Sequence, residues 1–170
     1  LVSITSALGL TLDDVVAHSW CVNGPEWRGL LLKSAKKVLA VVPNQTMLGD
    51  KDVGIIGPRI VPDDATSDGC HEEGAFDFEV RAFCPLDNPF EDPATGSLNA
   101  GLAQWLLGHE QGSQFRTGYR VRQGTCVNRT GDIVITADCA METMDDREGQ
   151  AVVWVGGSCQ TCISGTSSIA

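Results

Sequence analysis

The sequence predicts an α+β fold in which a curved antiparallel sheet wraps around a central buried helix. Three observations carry that expectation. Residues 98–107 are apolar on nearly the whole helix circumference, through Leu98, Ala100, Leu102, Ala103, Trp105, Leu106 and Leu107. A helix of that kind must be enclosed by other elements, and a curved sheet is its natural container. Around it, short strand and helix units come first and several strands follow, an α+β order. Finally, 170 residues with 42% hydrophobic and 20% charged content suffice for one domain with a real core.

Taken in order, "LTLDDVVAH" predicts a short helix, with Thr11 as cap and Asp14 completing a capping box. "SWCVNGPEW" reads as strand and turn, and "RGLLLKS" as a buried strand. "SAKKVLAVV" suits a second helix capped by Ser34 and closed by Pro43, because proline disfavours helix in the residue before it. "DVGIIGP" is a β-branched strand, and "RIVPDDATSDGCHEEG" is a loop rich in turn formers. "AFDFEVRAF" alternates with period two, as a half-buried strand does. Residues 85–93 are loop, and the stretch "EDPATGSLNAGLAQWLLG" then enters the main helix, which Gly108 stops. "YRVRQGTCVNRTGDIVITAD" gives two strands joined at residues 129–132, where glycine can take the positive φ of a hairpin. "AVVWVGGSCQTCISGTSSI" gives two more strands around glycines.

The mouth of the main helix is the candidate site. A helix N-terminus presents free N–H groups and a partial positive charge, so it attracts carboxylate or phosphate. Gly96 lacks a Cβ and allows close approach, while Thr95 and Ser97 can cap the end. Asp92 stands just before the turn. It is either an Asx-turn residue held by Pro93 or a carboxylate available for proton transfer at the edge of an anion site.

Other features narrow the function. The net charge of -10 repels phosphate backbones and anionic lipids, so neither nucleic acid nor a membrane surface is an expected partner. No apolar run approaches the roughly 20 residues that span a bilayer. The start lacks the basic region of a signal peptide, and the first residue, Leu1, suggests a trimmed or incomplete chain. Seven scattered cysteines read as free thiols of a reducing, cytoplasmic setting. The N-x-T triplets at Asn44 and Asn128 read as silent.

Cys159 and Cys162 form a CxxC, but no second CxxC or HxxxH completes a zinc set, and no helix follows as in a redox motif. His18 reads as a helix-end cation, His71 lies in a polar loop, and His109 follows the main helix. None stands beside a nucleophile at a diagnostic spacing. No G-x-G-x-x-G opens a helix. Neither metal nor cofactor is expected. Arg81 reads as a structural ion-pair partner on its strand rather than a substrate clamp.

"EDPATGS" followed by an apolar helix resembles the signature of the PhzF-like phenazine biosynthesis family, within the diaminopimelate epimerase superfamily. "FEVRAFCP" before it, then "YRVRQG", "NRTGDIVI" and "VWVGG…ISG" after it, resemble the family's flanking segments in order. The resemblance runs from about Val15 to the C-terminus. It implies a β-barrel-like sheet around a central helix, repeated in two halves that share an active-site cleft. Residues 1–170 resemble only the second half, so they are expected to form the C-terminal lobe, with the N-terminal lobe absent.

The implied activity is an isomerase or epimerase performing cofactor-independent proton transfer on a small carboxylate-bearing metabolite. Asp92 resembles the family's active-site aspartate. Gly96 and Ser97, with Thr95 at the same entrance, resemble the residues that hold the substrate carboxylate. In the epimerase branch a cysteine occupies the place of Asp92, and Cys84 lies too far upstream to substitute for it. The family's main acid/base glutamate belongs to the first half. Glu26, in "NGPEW", lacks its context, so the isolated half is expected to be inactive. Leu98 and Asn99 stand where many relatives have small residues and a histidine. The partners expected of the isomerase are the small metabolite and the N-terminal lobe. The alternative is a non-catalytic module of the same fold that binds small carboxylates, or that pairs with another chain, such as a second copy of itself, through the exposed half-interface.

Overall fold

The computed structural model describes residues 1–59, 75–108, 117–138 and 152–166. Helix α1 (Val2–Ala7) leads through a 3-10 turn (Leu12–Asp14) into strands β1 (Val15–Val22) and β2 (Glu26–Leu32). Helices α2 (Ala35–Ala40) and α3 (Gln45–Leu48) precede β3 (Val53–Pro58), β4 (Phe78–Phe83) and the two-residue β5 (Glu91–Asp92). Helix α4 (Gly96–Leu107) is followed by β6 (Gly118–Gln123), β7 (Gly131–Asp138) and β8 (Val152–Gly157).

All these strands form one sheet in the order β1-β2-β3-β4-β6-β7-β8, with β5 paired to β4. The sheet is mixed, which corrects the antiparallel expectation: β2 pairs parallel with β3, and β4 parallel with β6. Parallel neighbours need a crossover. Helices α2 and α3 make the first and α4 the second. The sequence carried that signal as strand, helix, strand over "RGLLLKSAKKVLA…DVGIIG", a βαβ reading.

The two crossovers cover opposite faces. On one, Leu98, Leu102, Ala103 and Leu106 of α4 pack with Trp27, Leu31, Ile56, Val80 and Val121. On the other, Ile4, Leu8, Val38 and Leu48 of the small helices pack with Leu30, Leu32, Ile55 and Phe83. Period-two alternation explains the division, since successive strand residues point to opposite faces. It also explains why β4 is buried along its whole length rather than on one face as predicted: both of its faces are covered.

Helix α4 touches β1 and β8, the two ends of the strand path, as well as β2 and β7. The sheet therefore curls toward it as a half-barrel. Burial is less complete than the apolar pattern predicted. Gln104 is exposed, and Ala100, Trp105 and Leu107 are only half-buried. Close packing on the sheet side depends on Gly54, where an added Cβ would collide with the Leu98 side chain.

Several local expectations differ from the structure. The Thr11–Asp14 capping box is present, but it closes only the 3-10 turn. Residues 15–18, read as helix, begin β1, because β-branched Val15 and Val16 lead a strand that pairs with β2. His18 accordingly lies exposed on β1, not at a helix end. Ser34 caps α2 as predicted, accepting from the Lys37 N–H at 3.2 Å. Helices α1 and α3 were not foreseen. The β6–β7 connection is longer than a hairpin turn, and its positive φ angles fall at Gly124 and Asn128, not at Gly131. Beyond β8, residues 158–166 form no further strand. The predicted loop at 59–74 lies almost entirely outside the described residues, as do Cys70, His71, His109 and Cys139.

Candidate functional site

The site is built on one edge of β4. Strand β6 occupies the first part of that edge, with Gln123 opposite Val80. Strand β5 occupies the last part, with Asp92 opposite Ala82. Gln123 and Asp92 thus meet along a single edge, and the chain turns from Asp92 through Pro93 and Ala94 into α4. Gly124 permits the tight meeting. Its φ is +90°, and a Cβ there would lie 2.9 Å from the Pro93 carbonyl oxygen.

The sequence-predicted residues come together at this point. Asp92 Oδ1 accepts from the Ala94 N–H at 3.2 Å, an Asx-type turn. Asp92 Oδ2 accepts from the Thr95 hydroxyl at 2.7 Å. Thr95 is the N-cap residue of α4, yet its side chain makes no cap bond to the helix. Gly96 is exposed, and a Cβ on it would meet nothing within 4 Å, so the helix mouth opens to free space. Ser97 is half-buried and accepts from the Trp27 indole N–H at 3.3 Å. The Gly96, Ser97 and Leu98 N–H groups have no helix carbonyl before them. An uncapped, positively polarised helix end therefore lies beside a fixed carboxylate, suited to a small anion.

A cleft of about 270 Å³ adjoins Asp92, lined by Cys84, Asp87, Asn88, Pro89 and Asp92. In sequence Cys84 lies too far upstream to substitute for Asp92. The β4–β5 pairing brings it to the cleft, where its N–H donates to the Phe90 carbonyl at 2.8 Å. Burial, reinforced by Asp52, Asp87 and Asp92, pushes the Cys84 thiol up to about 12. It remains a neutral thiol near pH 7, unlike an activated nucleophile.

Three residues at the site escaped the sequence reading. Gln123 is 0% exposed and Asn99 is buried. The Gln123 amide donates to the Asp92 carbonyl at 2.7 Å and to Thr95 Oγ1 at 2.9 Å. Its oxygen accepts from the Thr95 N–H at 3.2 Å and from Asn99 Nδ2 at 2.9 Å. Trp27 holds Ser97. The available signal was period two in "YRVRQG": Gln123 shares a face with Tyr119 and Val121, both buried, so its amide had to find partners inside.

Arg81 lies on the opposite face of β4 and is an ion-pair partner, as predicted. Its guanidinium makes a two-point contact with Glu91, at 2.9 and 2.8 Å, with the two residues 4% and 8% exposed. It also donates to the Val41 and Val38 carbonyls at the end of α2, at 2.6 and 3.3 Å. Among the described residues no group of three or more potential ligands could hold a metal ion. Cys159 and Cys162 are exposed, and each thiol contacts only a carbonyl two residues back. No helix among the described residues is long and apolar enough to cross a membrane.

The chain is 32% identical to antisense-enhancing sequence 1 of Schizosaccharomyces pombe, over 98% of the chain and 52% of that protein. Its fold is similar to the crystal structure of a phenazine biosynthesis protein of the PhzF family from Bacillus anthracis, with a TM-score of 0.66 at 14% identity. That match covers 91% of the chain and 50% of the other protein. A PhzF family structure from Enterococcus faecalis gives a TM-score of 0.58 at 18% identity, covering 92% and 48%. The chain thus spans about half the length of the relatives it matches. Residues 2–165 match the family described as phenazine biosynthesis-like protein (PhzC-PhzF), and the chain belongs to that family.

Proposed function

We propose that the chain forms one lobe, the second of two, of a cofactor-independent isomerase that moves a proton at a carbon near the carboxylate of a small metabolite. The supporting observation is the uncapped mouth of α4 standing beside Asp92, a carboxylate whose two oxygens are fixed by the turn that enters the helix. The N–H groups of Gly96 and Ser97 receive the substrate carboxylate, beside Thr95, whose own N–H is held by Gln123. Asp92 accepts the migrating proton or orients the group that carries it. A glutamate of the companion lobe acts as the main base. Donors fixed in advance, in a cleft closed between two lobes, stabilise the carbanion-like charge as it develops. The half-length match to the family's relatives supports a companion lobe.

Exchange of solvent deuterium into the C–H bond next to a carboxylate tests this reading. The 170-residue chain alone exchanges nothing. Joined to a companion lobe that carries the glutamate it catalyses exchange, and Asp92→Asn lowers the rate by about 10²-fold or more. Exchange at full rate in Asp92→Asn would reject the role of Asp92. Exchange by the chain alone would reject the shared cleft.

A second reading rests on a different observation. Trp20 and Val22 on β1, and Trp154 on β8, are exposed apolar side chains on the two end strands of the sheet. They suit a non-catalytic module that pairs with another chain, or with a second copy, through those strands. Light scattering with and without added companion lobe separates the readings: a monomer that ignores the lobe contradicts both, and a dimer that ignores it favours the second.

A further inference from the structure

We infer that Gln123 is a positioning residue of the α4 mouth: it engages the Thr95 hydroxyl so that Thr95 cannot cap the helix, and so keeps the mouth open for an anion. This deepens the proposed function and rests on it. By position and chemistry Thr95 should be a capping residue, because threonine at an N-cap accepts from the N–H two or three residues on. It does not do so here. One lone pair of its oxygen takes Gln123 Nε2 at 2.9 Å and its proton is committed to Asp92 Oδ2 at 2.7 Å, so the hydroxyl is drawn toward these two partners instead of toward the helix N–H groups.

The hydroxyl direction is thereby fixed. An oxygen that receives the Gln123 N–H turns its own hydrogen toward Asp92. Gln123 cannot readily turn away, since both of its N–H bonds and both acceptances at its oxygen are used, and the residue is 0% exposed. Asn99 closes the arrangement by donating to Gln123 Oε1 at 2.9 Å and to the Thr95 carbonyl at 2.9 Å. One buried amide thus aligns the Asp92 carboxylate through Thr95 and withholds the helix's own cap. The vacant N–H groups are those a substrate carboxylate needs.

Amide hydrogen exchange read residue by residue tests this, because the inference predicts a change opposite in sign to simple damage. In Gln123→Met, which keeps the volume and removes the hydrogen bonds, Thr95 is released to cap α4. Exchange at the Leu98 N–H then slows about fivefold, the factor expected of an N-cap. Thr95→Val added to Gln123→Met abolishes the slowing. If Leu98 exchange speeds up together with its neighbours in Gln123→Met, Gln123 is only structural and the inference fails.

Should Gln123→Met not fold, the wild-type chain still decides. A solvent-protected Thr95 hydroxyl proton with a cross-peak to the Gln123 side-chain amide supports the inference, and a rapidly exchanging hydroxyl overturns it. Titration with acetate isolates the parent reading. If wild-type Gly96 and Ser97 amides ignore acetate while Leu98 exchange slows in Gln123→Met, the positioning role stands and the anion site falls.

Discussion

Glu91 and Asp92 are adjacent carboxylates on one two-residue strand, and they have opposite fates. Strand alternation turns Glu91 to the α2 face, where Arg81 meets it with two hydrogen bonds and almost no water. The same alternation turns Asp92 to the α4 face, where its partners are a backbone N–H and a hydroxyl and a cleft opens alongside. The first cluster is closed, with each charge matched and the end of α2 tied down. The second is fixed on its inner side and open on its outer side. A polar group that is held but not consumed is available to a ligand, and that difference assigns structure to Glu91 and chemistry to Asp92.

Breaking the closed cluster has the largest expected effect. Arg81→Ala strands a buried Glu91 and uncaps α2, at a cost of about 3–5 kcal/mol in urea unfolding. Next comes the pH dependence of the group beside it. Glu79 is 1% exposed, and one of its oxygens has no hydrogen-bond partner. Burial pushes its carboxyl above the ordinary 4.5, opposed only in part by the Thr125 hydroxyl and by Arg122 and Arg81. Because the folded value is the higher one, the stabilisation from Glu79 is complete below 4.5 and is lost as pH rises through that folded value. Unfolding followed across that window shows this decline in wild type, and Glu79→Gln removes it.

At the open cluster the effect on stability is smaller. Asp92→Asn sets a donor against the Thr95 hydroxyl and costs about 1 kcal/mol, while abolishing the proposed chemistry. A cost as large as that of Arg81→Ala would show that Asp92 is a structural cap and erase the contrast between the two carboxylates. Cys126, exposed over the end of α2 near the closed cluster, marks the lower limit. Cys126→Ser changes stability by no more than about 0.5 kcal/mol in the same assay.

The central elements were legible because their signals are local. The α4 helix from 96 to 107, its stop at Gly108, the Ser34 cap and strands β3, β4, β6 and β7 all follow from period, cap chemistry and glycine placement. Residues Asp92, Thr95, Gly96 and Ser97 lie within six consecutive positions, so their juxtaposition was readable. The parallel pairings were misread because parallel and antiparallel neighbours share the same strand pattern and differ only in what connects them. The helix read at 10–18 failed because a sound capping box closed a 3-10 turn and strand pairing claimed the valines. Gln123 and Cys84 were missed as site residues because pairing along β4 alone brings them to Asp92.

The most direct test of the account is a titration of the 15N-labelled chain with acetate, followed at each backbone amide. The account predicts saturable shifts confined to Gly96, Ser97, Leu98 and the amides around Asp92, with the Glu91–Arg81 side of β4 unmoved. Shifts scattered over surface lysines, or a silent α4 mouth at saturating acetate, would contradict it.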